Sequence, residues 1–272
     1  MKTNKQWMLA AVLICGASMF TACGNEDSPA SGGDEPVIEN LAEKVIGKWI
    51  VYEKEGEPAL TNRKVLINFE SATSLYFSVS YMGVWQNNNK YEYTLNGNVV
   101  SCAQKVDEHT YTDVKVKIKS IDDNKMYEDF SNTISIDGVE QIKLKSSETL
   151  IRVTEDYSDA ILGLWEGHVT SEMGSEFDDG EDHRWEYKAD GIFNYYHKVN
   201  GEWKVVNDVI NDYFVDGPLL CTRWKEAGDN AVEIREWWEI ESIKDGVMKW
   251  IALREKEDGT KYTASFQMKK VE

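Results

Sequence analysis

Across 272 residues the chain carries 48 acidic against 30 basic side chains, a formal charge of −18. That balance excludes nucleic acid as a partner, since neutralising phosphates takes clustered Lys and Arg, and it excludes electrostatic adhesion to anionic lipid. Hydrophobic content of 42%, aromatics at 11% and only 4 prolines describe packed, strand-rich cores, in one large or two modest domains.

Lys2 and Lys5 form a short positive start, and Trp7 to Phe20 is an apolar run too short to span a bilayer. Phe20-Thr21-Ala22-Cys23-Gly24 follows, with small residues immediately before a cysteine. This stretch resembles the lipobox of bacterial lipoproteins, in the looser Bacteroidetes form with Phe three before the cysteine. The resemblance implies a signal peptide over residues 1–22, cleavage before Cys23 and a diacylglycerol on its sulfur. Several palmitate-type acyl chains then anchor stably where one would not. Glu26 and Asp27 resemble the surface-export signal of Bacteroidetes lipoproteins. The implied location is the outer membrane, facing outward, with the periplasmic face as the alternative. Residues 23–44 read as lipidated Cys and tether, because Ser28 to Pro36 (SPASGGDEP) has the composition of a flexible linker.

From Val45 onward the chain reads as one unit written twice. Val45-Ile46-Gly47-Lys48-Trp49 is answered by Ile161-Leu162-Gly163-Leu164-Trp165. Asn68-Phe69 with Leu75 and Phe77 match Glu186-Tyr187 with Ile192 and Phe193, and Tyr81 to Trp85 match Val199 to Trp203. Tyr93 to Gly97 match Tyr213 to Gly217, Ile118 to Met126 match Ile240 to Met248, and Asp137-Gly138 match Asp258-Gly259. Gly47 to Gly163 is an offset of 116 and Ile118 to Ile240 one of 122, so several anchors recur in unchanged order with little drift. Residues 45–154 and 160–272 are the predicted units, joined by Thr154–Ala160.

Each unit is predicted as strands and hairpins. Asn96-Gly97, Asp137-Gly138, Asp190-Gly191, Asp216-Gly217, Asp245-Gly246 and Asp258-Gly259 are turn dipeptides that tolerate positive φ. Between them, Val114 to Ile121 alternates apolar and cationic residues. Val232, Ile234, Trp238 and Ile240 share one face of VEIREWWEI, with Glu233, Arg235, Trp237 and Glu239 on the other. Counting runs gives about eight strands per unit, and closing such a meander removes aggregation-prone edges.

Gly-x-Trp opening the first of eight up-and-down strands resembles the lipocalin superfamily, and more closely the lipocalin-like domains of Bacteroidetes lipoproteins. The expected fold is therefore all-β: two tandem antiparallel lipocalin-like barrels behind a lipoprotein signal and tether. The resemblance implies that the Gly47/Trp49 and Gly163/Trp165 motifs each close a barrel end, with a last-strand cation stacked on the tryptophan. Arg152 is the expected cation for Trp49; Lys269 and Lys270 occupy the corresponding region of the second unit, a looser match because lysine lacks the planar guanidinium.

No catalytic motif is visible. His109, His168, His183 and His197 form no metal pair, and no nucleophile elbow, Walker loop or dinucleotide fingerprint occurs. Asp178 to His183 (DDGEDH) is dense enough in carboxylates for Ca²⁺ but lacks the spacing of a calcium loop, and reads as a solvated acidic loop. His168 and His197 are expected to line or cap the second barrel. Cys102 and Cys221 share a repeat position and read as two separate small core or wall residues rather than a disulfide. The functional signal is aromatic excess: seven of the 10 tryptophans fall in the second unit. Trp203, Trp224, Trp237, Trp238, Trp250 and Tyr196 are the candidate ligand contacts, with Trp237 and Trp238 on opposite strand faces. The expected function is a non-enzymatic, lipid-anchored envelope binding module without metal or cofactor. Its ligand is a small apolar molecule in a barrel mouth or a glycan on exposed aromatics. The alternative is an accessory protein with filled barrels that engages an envelope protein partner.

Overall fold

The computed structural model describes residues 38–79, 90–170, 181–206, 208–228 and 230–271. The leader, Cys23, Glu26, Asp27, the tether to residue 37, Trp85 and Asp178–Gly180 lie outside them. No described helix is long and apolar enough to cross a membrane. The chain divides into two compact units, the second beginning at Val153 and also holding Pro58–Leu66.

Along the part of the chain that builds the first sheet, a helical turn, α1 (Leu41–Lys44), leads into β1 (Gly47–Lys54). The short β2 (Glu57–Pro58), a 3₁₀ turn at Thr61–Arg63, β3 (Val65–Phe69), β4 (Ser74–Val79), β5 (Lys90–Glu92), β6 (Thr94–Asn96) and β7 (Val99–Lys105) follow. Three long strands complete it: β8 (Thr110–Ile121), β9 (Lys125–Ile136) and β10 (Val139–Val153). The second unit comprises β11 (Gly163–Val169), β12 (His183–Tyr187), β13 (Phe193–Val199), β14 (Glu202–Val205), β15 (Asp208–Asp216), β16 (Leu219–Glu226), β17 (Ile234–Lys244), β18 (Val247–Glu255) and β19 (Lys261–Val271).

Each sheet is an antiparallel meander curled so that its first strand pairs with its last. The orders are β5-β4-β3-β1-β10-β9-β8-β7-β6 and β14-β13-β12-β11-β19-β18-β17-β16-β15, with β2 added to β1. The chain thus forms two curled barrels or half-barrels. Among the described residues each path holds nine strands rather than the expected eight. In both sheets the two edges fall mid-sequence. In the second, the residues just before β13 are bridged to the edge strand β15 at Ile192↔Asp212 and by the Tyr213 amide donating to the Gly191 carbonyl at 2.8 Å.

The repeat is visible in fine detail. A bulge interrupts β8–β9 between Ile118 and Ser120, and a bulge interrupts β17–β18 between Ile240 and Ser242, the same Ile-x-Ser positions. The hairpins that follow turn at Asp122–Asn124 and Asp245-Gly246, where Asp245 and Gly246 carry φ of +52° and +72°. That is the doubly positive pair matching the right-handed twist of the flanking strands.

The Gly-x-Trp stretches build the closed ends. Gly47 has φ +115°, and a Cβ there would sit 2.8 Å from Arg152 Nη1. Arg152 lays its guanidinium 4.1 Å from the Trp49 ring centre and donates to the carbonyls of Ile46 and Lys44 at 2.7 and 2.6 Å. In the second unit Gly163 has φ +116° with Lys270 Cε 2.9 Å from its would-be Cβ, and Lys270 Nζ lies 5.3 Å from the Trp165 ring. Lys270, not Lys269, is therefore the stacking cation. Both indoles donate to the carbonyl four residues earlier, Val45 and Ile161. Tyr157, inside the predicted joining segment, packs against the core of the second unit.

Candidate functional site

The second barrel is filled at one end and hollow at the other. Ile161, Trp165, Ile240, Met248 and Met268, all essentially buried, pack the Gly-x-Trp end. Beyond them lies a cavity of about 290 Å³. Strand parity places its wall. His183, Trp185 and Tyr187 alternate inward on β12 with Arg184 and Glu186 between them less buried. Phe193 and Tyr195 come from β13, Asp208 from β15, Thr222 and Trp224 from β16, Glu236 and Trp238 from β17, Trp250 from β18 and Phe266 from β19. The aromatic rings brace one another edge-on or tilted. Trp185 sits 5.4 Å from Trp250 and 5.2 Å from Phe266, and Trp238 sits 5.6 Å from Trp250. Such contacts add to the value of burial and hold the wall rigid.

Polar groups are sparse and unevenly satisfied. His183 Nδ1 and the Tyr195 hydroxyl are 2.8 Å apart. Glu236 accepts from the Trp238 indole at 3.2 Å and faces Arg254 at 3.5 Å, whose guanidinium lies 4.5 Å from the Trp238 ring. Trp250 Nε1, the Tyr187 hydroxyl and Asp208 Oδ1 are among the wall atoms with no hydrogen-bond partner within the described residues. Trp250 and Tyr187 are 2% and 1% exposed. Burial holds the Tyr187 phenol well above its ordinary value, and burial followed by repulsion from Glu226 raises the Asp208 carboxyl. Buried polar atoms are nearly always paired with protein or solvent, so these atoms are open to hydrogen bonds from whatever fills the hollow.

The six aromatic candidates separate by strand face. Trp224, Trp238 and Trp250 line the cavity. Trp203, Trp237 and Tyr196 do not. Tyr196 donates to Glu186 at 2.8 Å, and the Trp203 ring has Arg184 at 4.4 Å and Lys198 at 4.8 Å, all on the outward face of β12–β14. Trp237 takes the opposite face from Trp238, as adjacent strand residues must. Val232 and Ile234 have the expected parity yet are 76% and 47% exposed, because the interior begins only at Glu236.

The histidines also need correcting. His197 is exposed, and His168 pairs with Asp182 at 3.2 Å on the surface, so neither lines the barrel. His183, read as the tail of an acidic loop, is 4% exposed inside it. The alternation His183-Trp185-Tyr187 carried that signal, and the carboxylates preceding it masked the start of the strand. Among the described residues no three His, Cys, Asp or Glu side chains cluster as a metal site. Cys102 and Cys221 are buried free thiols. No family model matches the sequence, and no curated protein matches it.

Proposed function

We propose that the protein is a lipid-anchored envelope binding module that holds a compact small molecule in its second barrel. The observation that carries this reading is the hollow aromatic end of that barrel, with buried polar atoms left for a guest. A volume near 290 Å³ lies at the small end of ligand pockets and suits one or two rings. The outward aromatics support a glycan platform less well, since cations already lie against the Trp203 ring. The lipobox around Cys23, the acids behind it and the linker support an outer-membrane anchor with a lipocalin-like body held off the bilayer. Nothing in the cavity assembles a nucleophile with its base, so binding is favoured over catalysis.

The test is tryptophan fluorescence of the purified protein during titration with compact aromatic and aliphatic compounds, and separately with oligosaccharides. Saturable quenching by a compact compound is expected. It is expected to be lost in Trp224→Ala and retained in Trp237→Phe, which changes only the outer face. Silence across the compact set would favour the accessory reading, in which the second barrel serves a protein partner.

A further inference from the structure

Resting on that reading, we infer that the cavity of the second barrel takes a compact organic cation: an aromatic or apolar body carrying a protonated amine. Two features of the wall point this way.

The first is the charge around the mouth. Among the described residues the ionisable groups lining the cavity are His183, Tyr187, Tyr195, Asp208 and Glu236, with Glu226 acting on Asp208 and Arg254 beside Glu236. Glu236 already has Arg254 and the Trp238 indole as partners. Asp208 has repulsion from Glu226 and an oxygen that no described donor reaches. With three carboxylates against one guanidinium, the region is short of positive charge. An ammonium against Asp208 fills that deficit and relieves the repulsion from Glu226 at the same time. An anionic ligand would meet Asp208 and Glu226 and be rejected.

The second is the ring surface. Cations are stabilised over indole and phenol faces, most strongly where water is excluded. Arg254 uses the Trp238 ring in this way. Trp185, Tyr195, Trp224 and Trp250 supply further aromatic surface along the same wall. Deeper in, the Tyr187 hydroxyl and Trp250 Nε1 offer hydrogen bonds to a polar substituent at the far end of the guest.

Three near-isosteric probes separate charge from shape: 2-phenylethylamine, 2-phenylethanol and phenylacetate. Binding is read by fluorescence of the purified protein, excited where the probes do not absorb. The amine is expected to bind about tenfold tighter than the alcohol, and the acid not at all. In Asp208→Asn the amine is expected to fall to the affinity of the alcohol, while the alcohol itself is unchanged, which shows that the variant is folded. Equal affinities for amine and alcohol in the unaltered protein, or an amine preference that survives Asp208→Asn, overturn the inference and leave a neutral-ligand cavity standing. Silence from all three probes overturns it as well, and the wider titration with compact compounds then judges the parent reading on its own.

Discussion

Glu128 shows how one side chain sets a property of its whole sheet. It lies on β9 directly opposite Glu148 on β10, is 1% exposed, and neither of its carboxylate oxygens meets a hydrogen-bond partner among the described residues. Burial, then repulsion from Glu148, hold its carboxyl well above the ordinary value of 4.5, against a smaller pull from Lys54, which pairs with Glu148 at 3.0 Å. The folded chain therefore keeps a proton that the unfolded chain loses first. Between the ordinary value and the raised one, the folded state binds more protons, so stability falls as pH rises through that window. Glu128→Gln cannot ionise. Chemical denaturation at a series of pH values is expected to show Glu128→Gln gaining stability relative to the unaltered protein as pH rises above the ordinary carboxyl value of 4.5, with the difference smallest at and below it. A constant difference across that range would mean that Glu128 is ionised in the fold.

At the scale of the strand, the second sheet depends on a close approach of β11 to β19. A Cβ at Gly167 would lie 2.0 Å from the Gln267 carbonyl oxygen and 2.6 Å from Met268 Cα, both backbone atoms that cannot step aside. These strands run in register from Leu164↔Val271 to Val169↔Phe266, so Gly167 sits within the ladder that joins the first strand of the sheet to its last. Gly167→Ala is expected to cost about 3 kcal/mol and lower the thermal midpoint by several degrees, read by the fluorescence of the tryptophans concentrated in that unit. An unchanged midpoint would show that the two strands separate easily. Much at this scale was legible beforehand. Gly-x-Trp, the turn dipeptides and the Ile-x-Ser pair fall at the same structural positions in both units, because each depends on local backbone conformation. Face assignment within strands was legible where alternation was uninterrupted, as at Trp237 and Trp238. It failed where depth mattered: Ile234 and Trp238 share a parity, and only tertiary structure says that the interior begins between them. It failed again at His183, where a charged approach hid the first inward residue of β12. The orphaned Trp250 Nε1 and Asp208 Oδ1 could not have been read, since a missing partner is a property of three-dimensional neighbours.

For the molecule as a whole, two curled sheets repeat one plan but have different interiors. The first encloses a buried carboxylate pair, the second an aromatic hollow. Cys23→Ala is expected to move the protein from the membrane fraction to the soluble fraction on cell fractionation, since lipidation at that sulfur is the proposed anchor. Retention in the membrane would refute the lipobox reading while leaving the cavity untouched.

The position of the sheet edges has a consequence for how the second unit could be rewired. β11 begins beside the end of β19, Leu164 opposite Val271, so the ends of this unit already meet in space. The edges, β14 (ending at Val205) and β15 (beginning at Asp208), are consecutive in sequence. If the chain were joined across Val271 and Gly163 and opened between those edges, it would run from β15 through β19 into β11 and on to β14. Every spatial neighbour would then be a sequence neighbour, from one border of the sheet to the other. The natural chain is thus a circular permutation of a plain nine-strand ribbon. Its termini have been moved to the middle of the ladder, where the first and last strands lock each other in place, and one of its borders, β15, has been left beside the cavity.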